Sequence, residues 1–164
     1  LLPLFDNGND VGLITEAGLP AVADPGSQLV KLCHRHNIEV VPCSGPSSLM
    51  LALMGSGLNG QSFAFLGYIP AKTDERRQAL KSIEKHSASA HQTKIMIETP
   101  YRNDSLFADI LNVCQGSTEL CVAADITMPD AYIMTKTVAE WKRYVAGKEN
   151  IIGKRPCVFL ILAH

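Results

Sequence analysis

Residues Asp10 to Gly26, DVGLITEAGLPAVADPG, decide the fold class, because a short apolar run passes directly into a turn dense in glycine and proline. Val11, Leu13 and Ile14 read as a strand buried on both faces. The segments that follow, Glu16-Ala17-Gly18-Leu19-Pro20 and Asp24-Pro25-Gly26, extend neither a strand nor a helix, so the chain must turn there. In an open α/β sheet, a loop leaving the carboxyl end of a buried strand is where small ligands bind, since backbone N–H groups and helix starts converge on it. The loop is therefore expected to form the floor of a cofactor site.

Outward from that stretch the pattern repeats. Upstream, Leu1 to Asn9 reads as the tail of a helix closed by Asn7-Gly8. Downstream, Asp24-Pro25-Gly26-Ser27 opens a helix to about His36, with Leu29, Val30, Leu32 and Cys33 inward. Ile38 to Val41 is the next strand, and Pro42 to Ser48, PCSGPSS, is a second polar turn running into a helix from Leu49 to Met54. Two successive strand-loop-helix units then present two glycine-bearing loops on one edge of a sheet. Phe63 to Ile69 is a third strand, ended by Pro70.

A domain boundary is expected near Pro70-Ala71, where the charge pattern changes. Residues 1–70 carry Lys31 and Arg35 against Asp6, Asp10, Glu16, Asp24 and Glu39, whereas the remainder is mildly basic. Residues 1–70 would be the latter part of an N-terminal parallel-sheet domain. Residues 71–164 alternate helix and strand, with two adjacent strands after Ile126, and predict a C-terminal α/β domain with a mixed sheet.

Composition narrows the function. The chain has 164 residues, 46% hydrophobic and 19% charged, with a net charge of −1, so no global basic field drives nonspecific nucleic-acid binding. Five scattered cysteines without a C-x-x-C pair read as reduced core thiols of a cytoplasmic protein. His34 and His36 face different directions on a helix and make a poor metal pair. No apolar run reaches membrane-spanning length.

Five blocks in order, TEAGLPAVADPG (15–26), SGPSSLMLALMGSGL (44–58), FAFLGYIP (63–70), ERRQALKSIE (75–84) and IETPYR (97–102), resemble the tetrapyrrole methylase superfamily of S-adenosylmethionine-dependent methyltransferases. Within it they are most similar to the branch that methylates ribose 2′-hydroxyls of small-subunit ribosomal RNA. The resemblance implies a two-domain α/β enzyme, a homodimer, with S-adenosylmethionine folded into a cleft. Members of that family begin with a strand and a proline-glycine-rich loop that contacts the cofactor, and nothing here corresponds to them. The chain is therefore expected to carry only part of the site. It also reads Glu16-Ala17-Gly18-Leu19-Pro20 where the ribosomal branch usually has Asp-Ala-Gly-Thr-Pro.

Carried over residue by residue, the resemblance implies backbone contacts to the cofactor from Ala17, Gly18 and Leu19, with Glu16 and Val22 beside them. It places Ser47 and Ser48 at the polar end of the cofactor, and Glu98, Thr99, Thr137 and Val138 on the facing wall. Methyl transfer from a sulfonium is an in-line displacement that needs positioning and, for a hydroxyl acceptor, a base. Asp24 or Glu98 is the candidate base, and Arg102 the candidate clamp for a substrate phosphate. Plainer roles stand beside these. Gly18, Pro20, Pro25 and Gly26 suit turn punctuation, Ser47-Ser48 and Asp24 suit helix caps, and Glu98 suits an ion pair with Arg102. Arg76, Arg77, Lys81 and Lys85 read as a solvated helix face rather than an RNA stripe, because Asp74, Glu75 and Glu84 are interleaved with them. Leu49, Met50, Leu53 and Met54 read as core packing. Two other functions fit the same blocks: methylation of a tetrapyrrole or other small molecule, and a noncatalytic methylase-like module.

Overall fold

In this computed structural model, which describes residues 3, 5, 8–148 and 151–164, contacts divide the chain into two compact units, Leu1–Ser47 and Ser48–His164. The division falls ahead of the boundary expected near Pro70, because the strand at Phe63–Tyr68 is hydrogen-bonded into the second unit's sheet.

The first unit holds one regular element among its described residues, helix α1 (Ser27–Arg35). Gly26, at φ 141°, stands before it as N-cap; a Cβ there would come within 2.6 Å of Leu13 Cδ2, so this turn requires glycine. The strands expected at 11–14 and 38–41, and the parallel sheet they imply, are not formed. Neither stretch has a ladder partner among the described residues, and Ile14 and Val41 stay 88% and 71% exposed. A strand exists only through its neighbours, and apolar side chains alone do not make one. The helix expected in Leu1–Asn9 lies largely outside the described residues, although Gly8 does adopt the left-handed conformation, φ 70°.

The second unit runs α2 (Ser48–Ser56), β1 (Phe63–Tyr68), α3 (Thr73–Ala90), β2 (Thr93–Ile97), a 3-10 turn (Pro100–Arg102), α4 (Asn103–Val113), β3 (Glu119–Ala124), β4 (Tyr132–Thr137), α5 (Val138–Tyr144) and β5 (Cys157–Leu162). The five strands form one mixed sheet in the order β1-β2-β5-β3-β4, parallel only between β1 and β2. The mixed sheet is as expected. Central β5, CVFLIL, is buried at every position, as a strand covered on both faces must be. Edge strand β1 is half exposed, and its register slips between Phe65 and Gly67, where Gly67 takes φ 69° and makes a bulge.

Alternation along the strands sorts the core into two layers. Met96, Phe159, Ile161, Leu120 and Val122 pack beneath α3, α4 and α5 through Leu80, Leu106, Phe107, Ile110 and Trp141. Ile95, Leu160, Val158, Cys121 and Ala123 face the other way and meet Leu49, Ala52 and Leu53 of α2. Met50 and Met54 are not part of that packing: both are exposed, on the outer side of α2. Arg76 also departs from the solvated face expected of α3, being buried against Asp109 of α4 at 2.5 Å, with Arg77 on the other carboxylate oxygen. Burial raises the Asp109 carboxyl, but hydrogen bonds from Arg77 and Arg76 outweigh it and hold the group below its ordinary range. The described cysteines are all free; burial pushes the thiols of Cys114 and Cys157 up to about 12, leaving them unreactive. No helix among the described residues is long and apolar enough to cross a membrane.

Candidate functional site

In the first unit the loop from Glu16 to Gly26 is held by its own turns. Val22 N–H donates to the Leu19 carbonyl at 3.2 Å, and Gly18, Ala21 and Ala23 all take left-handed φ, at 75°, 63° and 59°. Such conformations cost an alanine roughly 1 kcal/mol or more each. Strain of that kind concentrates at ligand-binding turns. Thr15 Oγ1 donates to Asp24 Oδ2 at 2.6 Å, so Asp24 ties the two ends of the loop together rather than capping α1, which begins only at Ser27. Glu16, Ala17, Gly18 and Val22 are exposed, and Leu19 is half-buried. A Cβ built on Gly45 would come 3.2 Å from Leu19 Cδ2, so the second turn lies against the first. Ser47, half-buried, ends that turn, and Ser48 is the exposed first residue of α2.

In the second unit the chemistry gathers where β2 ends. Parallel β1 and β2 terminate side by side, and the chain leaves β2 through Glu98-Thr99-Pro100-Tyr101-Arg102. The Glu98 carboxylate is buried; its Oε1 accepts from Thr99 N–H at 2.7 Å and from Arg102 at 2.6 Å. That hydrogen bond to Glu98 is the main reason the Arg102 guanidinium sits above its ordinary pKa, although partial desolvation opposes it. At 2.6 Å between Arg102 Nη2 and Glu98 Oε1, the two form the ion pair expected of them. It does not use the whole of either partner: Glu98 Oε2 and Arg102 Nε are buried with nothing to bond, and so is Oδ1 of the neighbouring Asn103. These three are the described side chains' buried polar atoms without a partner. Since buried polar groups are nearly always satisfied by protein or ordered water, this cluster is the candidate site of the second unit.

Thr137 and Val138 do not join Glu98 and Thr99. The register pairs Ile97 with Val158 and Val158 with Ala123, whereas Thr137 pairs with Glu119 and Glu119 with Leu162, so the two pairs stand at opposite ends of the sheet. Thr137 is a helix cap there: its Oγ1 accepts from Glu140 N–H at 3.2 Å, and Glu140 Oε2 accepts from Thr137 N–H at 2.9 Å. Val138, the first residue of α5, is fully buried. No group of three or more potential metal ligands occurs among the described residues.

Sequence reasoning missed Asn103 and gave no role to Tyr101 in the turn before it. Asn103 is fully buried at the start of α4 and donates to the carbonyls of Gly153 at 3.1 Å and Arg155 at 2.7 Å. Only the phenol Tyr101, wedged between Pro100 and Arg102, had a signal in the sequence, as an aromatic in an otherwise polar turn.

Comparison with known proteins shows the family and the fold. Residues 1–142 match the pattern of the tetrapyrrole (corrin/porphyrin) methylases. The chain is 35% identical over 144 residues to Ribosomal RNA small subunit methyltransferase I of Vibrio cholerae, covering 88% of this chain and 49% of that protein. It is 37% identical over 127 residues to the protein of the same name from Thermotoga maritima, covering 77% of this chain and 54% of the relative. The chain thus spans about half the length of the curated relatives it matches. Among solved structures, the methyltransferase CobJ superposes with a TM-score of 0.62 at 15% identity, over 99% of this chain and 68% of CobJ, which establishes likeness of fold.

Proposed function

The chain belongs to the tetrapyrrole (corrin/porphyrin) methylases, and from that premise we propose that the whole enzyme uses S-adenosylmethionine to methylate ribosomal RNA at a ribose 2′-hydroxyl. The observation that carries the reading is the identity of more than a third, over most of this chain, with relatives named as small-subunit ribosomal RNA methyltransferases. The cofactor supplies an electrophilic methyl group on sulfur. The residues here suit such a ligand: Glu98 Oε2 and Asn103 Oδ1 are unpartnered acceptors and Arg102 Nε an unpartnered donor, against a molecule rich in hydroxyl, ammonium and carboxylate groups.

In this reading the open turn at Ala17, Gly18 and Leu19 offers backbone groups to the cofactor, with Glu16 and Val22 at its sides. Ser47 and Ser48 add hydroxyls ahead of α2, and Thr99 joins Glu98. Arg102 neutralises Glu98 and holds its carboxylate in one orientation, leaving Oε2 as the free acceptor. Glu98 is the better candidate for receiving the hydroxyl proton, since the Asp24 carboxylate is already held by Thr15. The whole enzyme acts as a homodimer in the cytoplasm, as the family resemblance implies.

The test is methyl transfer by the full-length protein from labelled S-adenosylmethionine to RNA prepared from cells that lack it. Label in small-subunit ribosomal RNA, resistant to alkaline cleavage at one nucleotide, is the expected result. Label confined to small molecules, or none, would defeat the assignment.

A further inference from the structure

Beside the buried cluster at the end of β2 lies an exposed pair that the methyl-transfer reading does not use. Tyr101, in the 3-10 turn, is 79% exposed, and Lys154 Nζ lies 5.0 Å from the centroid of its ring. Tyr68 ends the adjacent strand β1 and is 59% exposed. Large rings left this open on a protein surface are informative only when the fold has gone to some trouble to place them.

Here it has. The segment carrying Lys154 is fastened to the segment carrying Tyr101 by four hydrogen bonds. Asp104 accepts from Ile152 N–H at 3.0 Å and from Gly153 N–H at 3.1 Å, while Asn103 donates to the carbonyls of Gly153 and Arg155 at 3.1 and 2.7 Å. Gly153, at φ 69°, makes the bend that brings residue 154 back. A solvated lysine needs no such fixing. The nearby carboxylates are mostly spent inside the fold: Glu98 on Arg102, Asp104 on backbone amides, and Asp125 on Arg155 at 2.5 Å, with Asp130 left exposed. Lys154 has no ion-pair partner among the described residues. What this edge offers is an exposed aromatic ring beside a lysine that has no ion-pair partner among the described residues.

We propose that Tyr101 and Lys154, with Tyr68 alongside, form a platform on which an unpaired nucleobase of the RNA substrate stacks while the ammonium meets an adjoining phosphate. This rests on the reading of the enzyme as an RNA methyltransferase and adds where the strand is gripped. Ring-on-base stacking next to a lysine suits single-stranded RNA, because a duplex keeps its base faces covered.

The experiment measures binding of the full-length enzyme to a single-stranded oligoribonucleotide, to a duplex of equal length and to S-adenosylmethionine, for the parent and for Tyr101→Ala, Tyr101→Phe and Lys154→Ala. Tyr101→Ala is expected to weaken single-strand binding about 10-fold, with Tyr101→Phe restoring it to within about twofold of the parent, because the ring carries the contact. Lys154→Ala is expected to lower the salt slope of binding by about one. Cofactor affinity and unfolding midpoint should stay at the parent's values in all three. Equal single-strand binding by parent and Tyr101→Ala, while the parent still methylates RNA, would overturn the platform and leave the methyltransferase reading standing. Loss of cofactor binding in Tyr101→Ala, or preference of the parent for the duplex, would also overturn it. A parent that transfers no methyl group to RNA would remove both.

Discussion

At the end of the sheet marked by Thr93, Thr118 and Thr137, buried polar groups are answered from within the fold, whereas at the end where β2 delivers Glu98 they are left waiting. Glu84 of α3 accepts from Gln115 N–H at 2.7 Å and from the Thr118 hydroxyl. Ser87 bonds the Gln92 carbonyl and Ala163 N–H, Thr93 bonds the Asn59 carbonyl, and Thr137 closes a capping box. Across the sheet, Glu98, Arg102 and Asn103 each keep one buried atom unpaired. One sheet thus has an end where the buried polar groups are paired within the fold and an end where three buried polar atoms are not. The same side-chain types serve both, and what differs is whether the neighbours complete their bonding.

That contrast can be broken by substitution. The largest effect is expected for Glu84→Ala, which leaves the buried Thr118 hydroxyl and the part-buried Gln115 amide without their acceptor. A loss of about 2 kcal/mol in chemical denaturation would fit one unsatisfied buried donor and one that water can partly reach. Glu98→Gln should do the reverse, moving the denaturation midpoint by less than half as much while reducing methyl transfer by the full-length enzyme at least about 10-fold. Were Glu98→Gln to destabilise as strongly as Glu84→Ala, the Glu98 end would be structural as well.

A third test uses acid. The Asp109 carboxyl is held below its unfolded value by Arg77 and Arg76, so the unfolded chain binds its proton more readily than the folded one. Its contribution to stability is complete above about pH 4 and fades as pH falls through the lowered folded value. Asp109→Asn should flatten that acid limb, and an unchanged limb in urea titrations at graded pH would contradict the arrangement. The smallest effect is expected for Thr137→Ala, a lost helix cap of about 1 kcal/mol, with S-adenosylmethionine affinity unchanged in calorimetry. A fall in that affinity would return Thr137 to the cofactor wall and undo the division between the ends.

The second unit was legible because its signals are local or periodic. CVFLIL could be nothing but a central strand, Thr137-Val138-Ala139-Glu140 spells a helix start, and Glu98 with Arg102 four residues on suggested their ion pair. The first unit was misread for the converse reason. Val11 to Ile14 and Ile38 to Val41 carry strand-like composition, yet composition cannot supply the hydrogen-bonding neighbour that turns an extended segment into a strand. Arg76 and Arg77 looked alike in sequence, and only the approach of α4 decided that one would be buried on Asp109 and the other left half in solvent.

By itself the sequence determined the family, the turn chemistry around Gly18 and Ser47, and the order of elements from α2 to β5, all of which depend on residues close together in the chain. The tertiary structure alone decided that Thr137 and Glu98 occupy opposite ends, that Asn103 and Asp104 pin the segment bearing Lys154, and that three polar atoms are buried without partners. Those facts follow from strand register and long-range packing, where the groups that meet are tens of residues apart and no local pattern records their meeting.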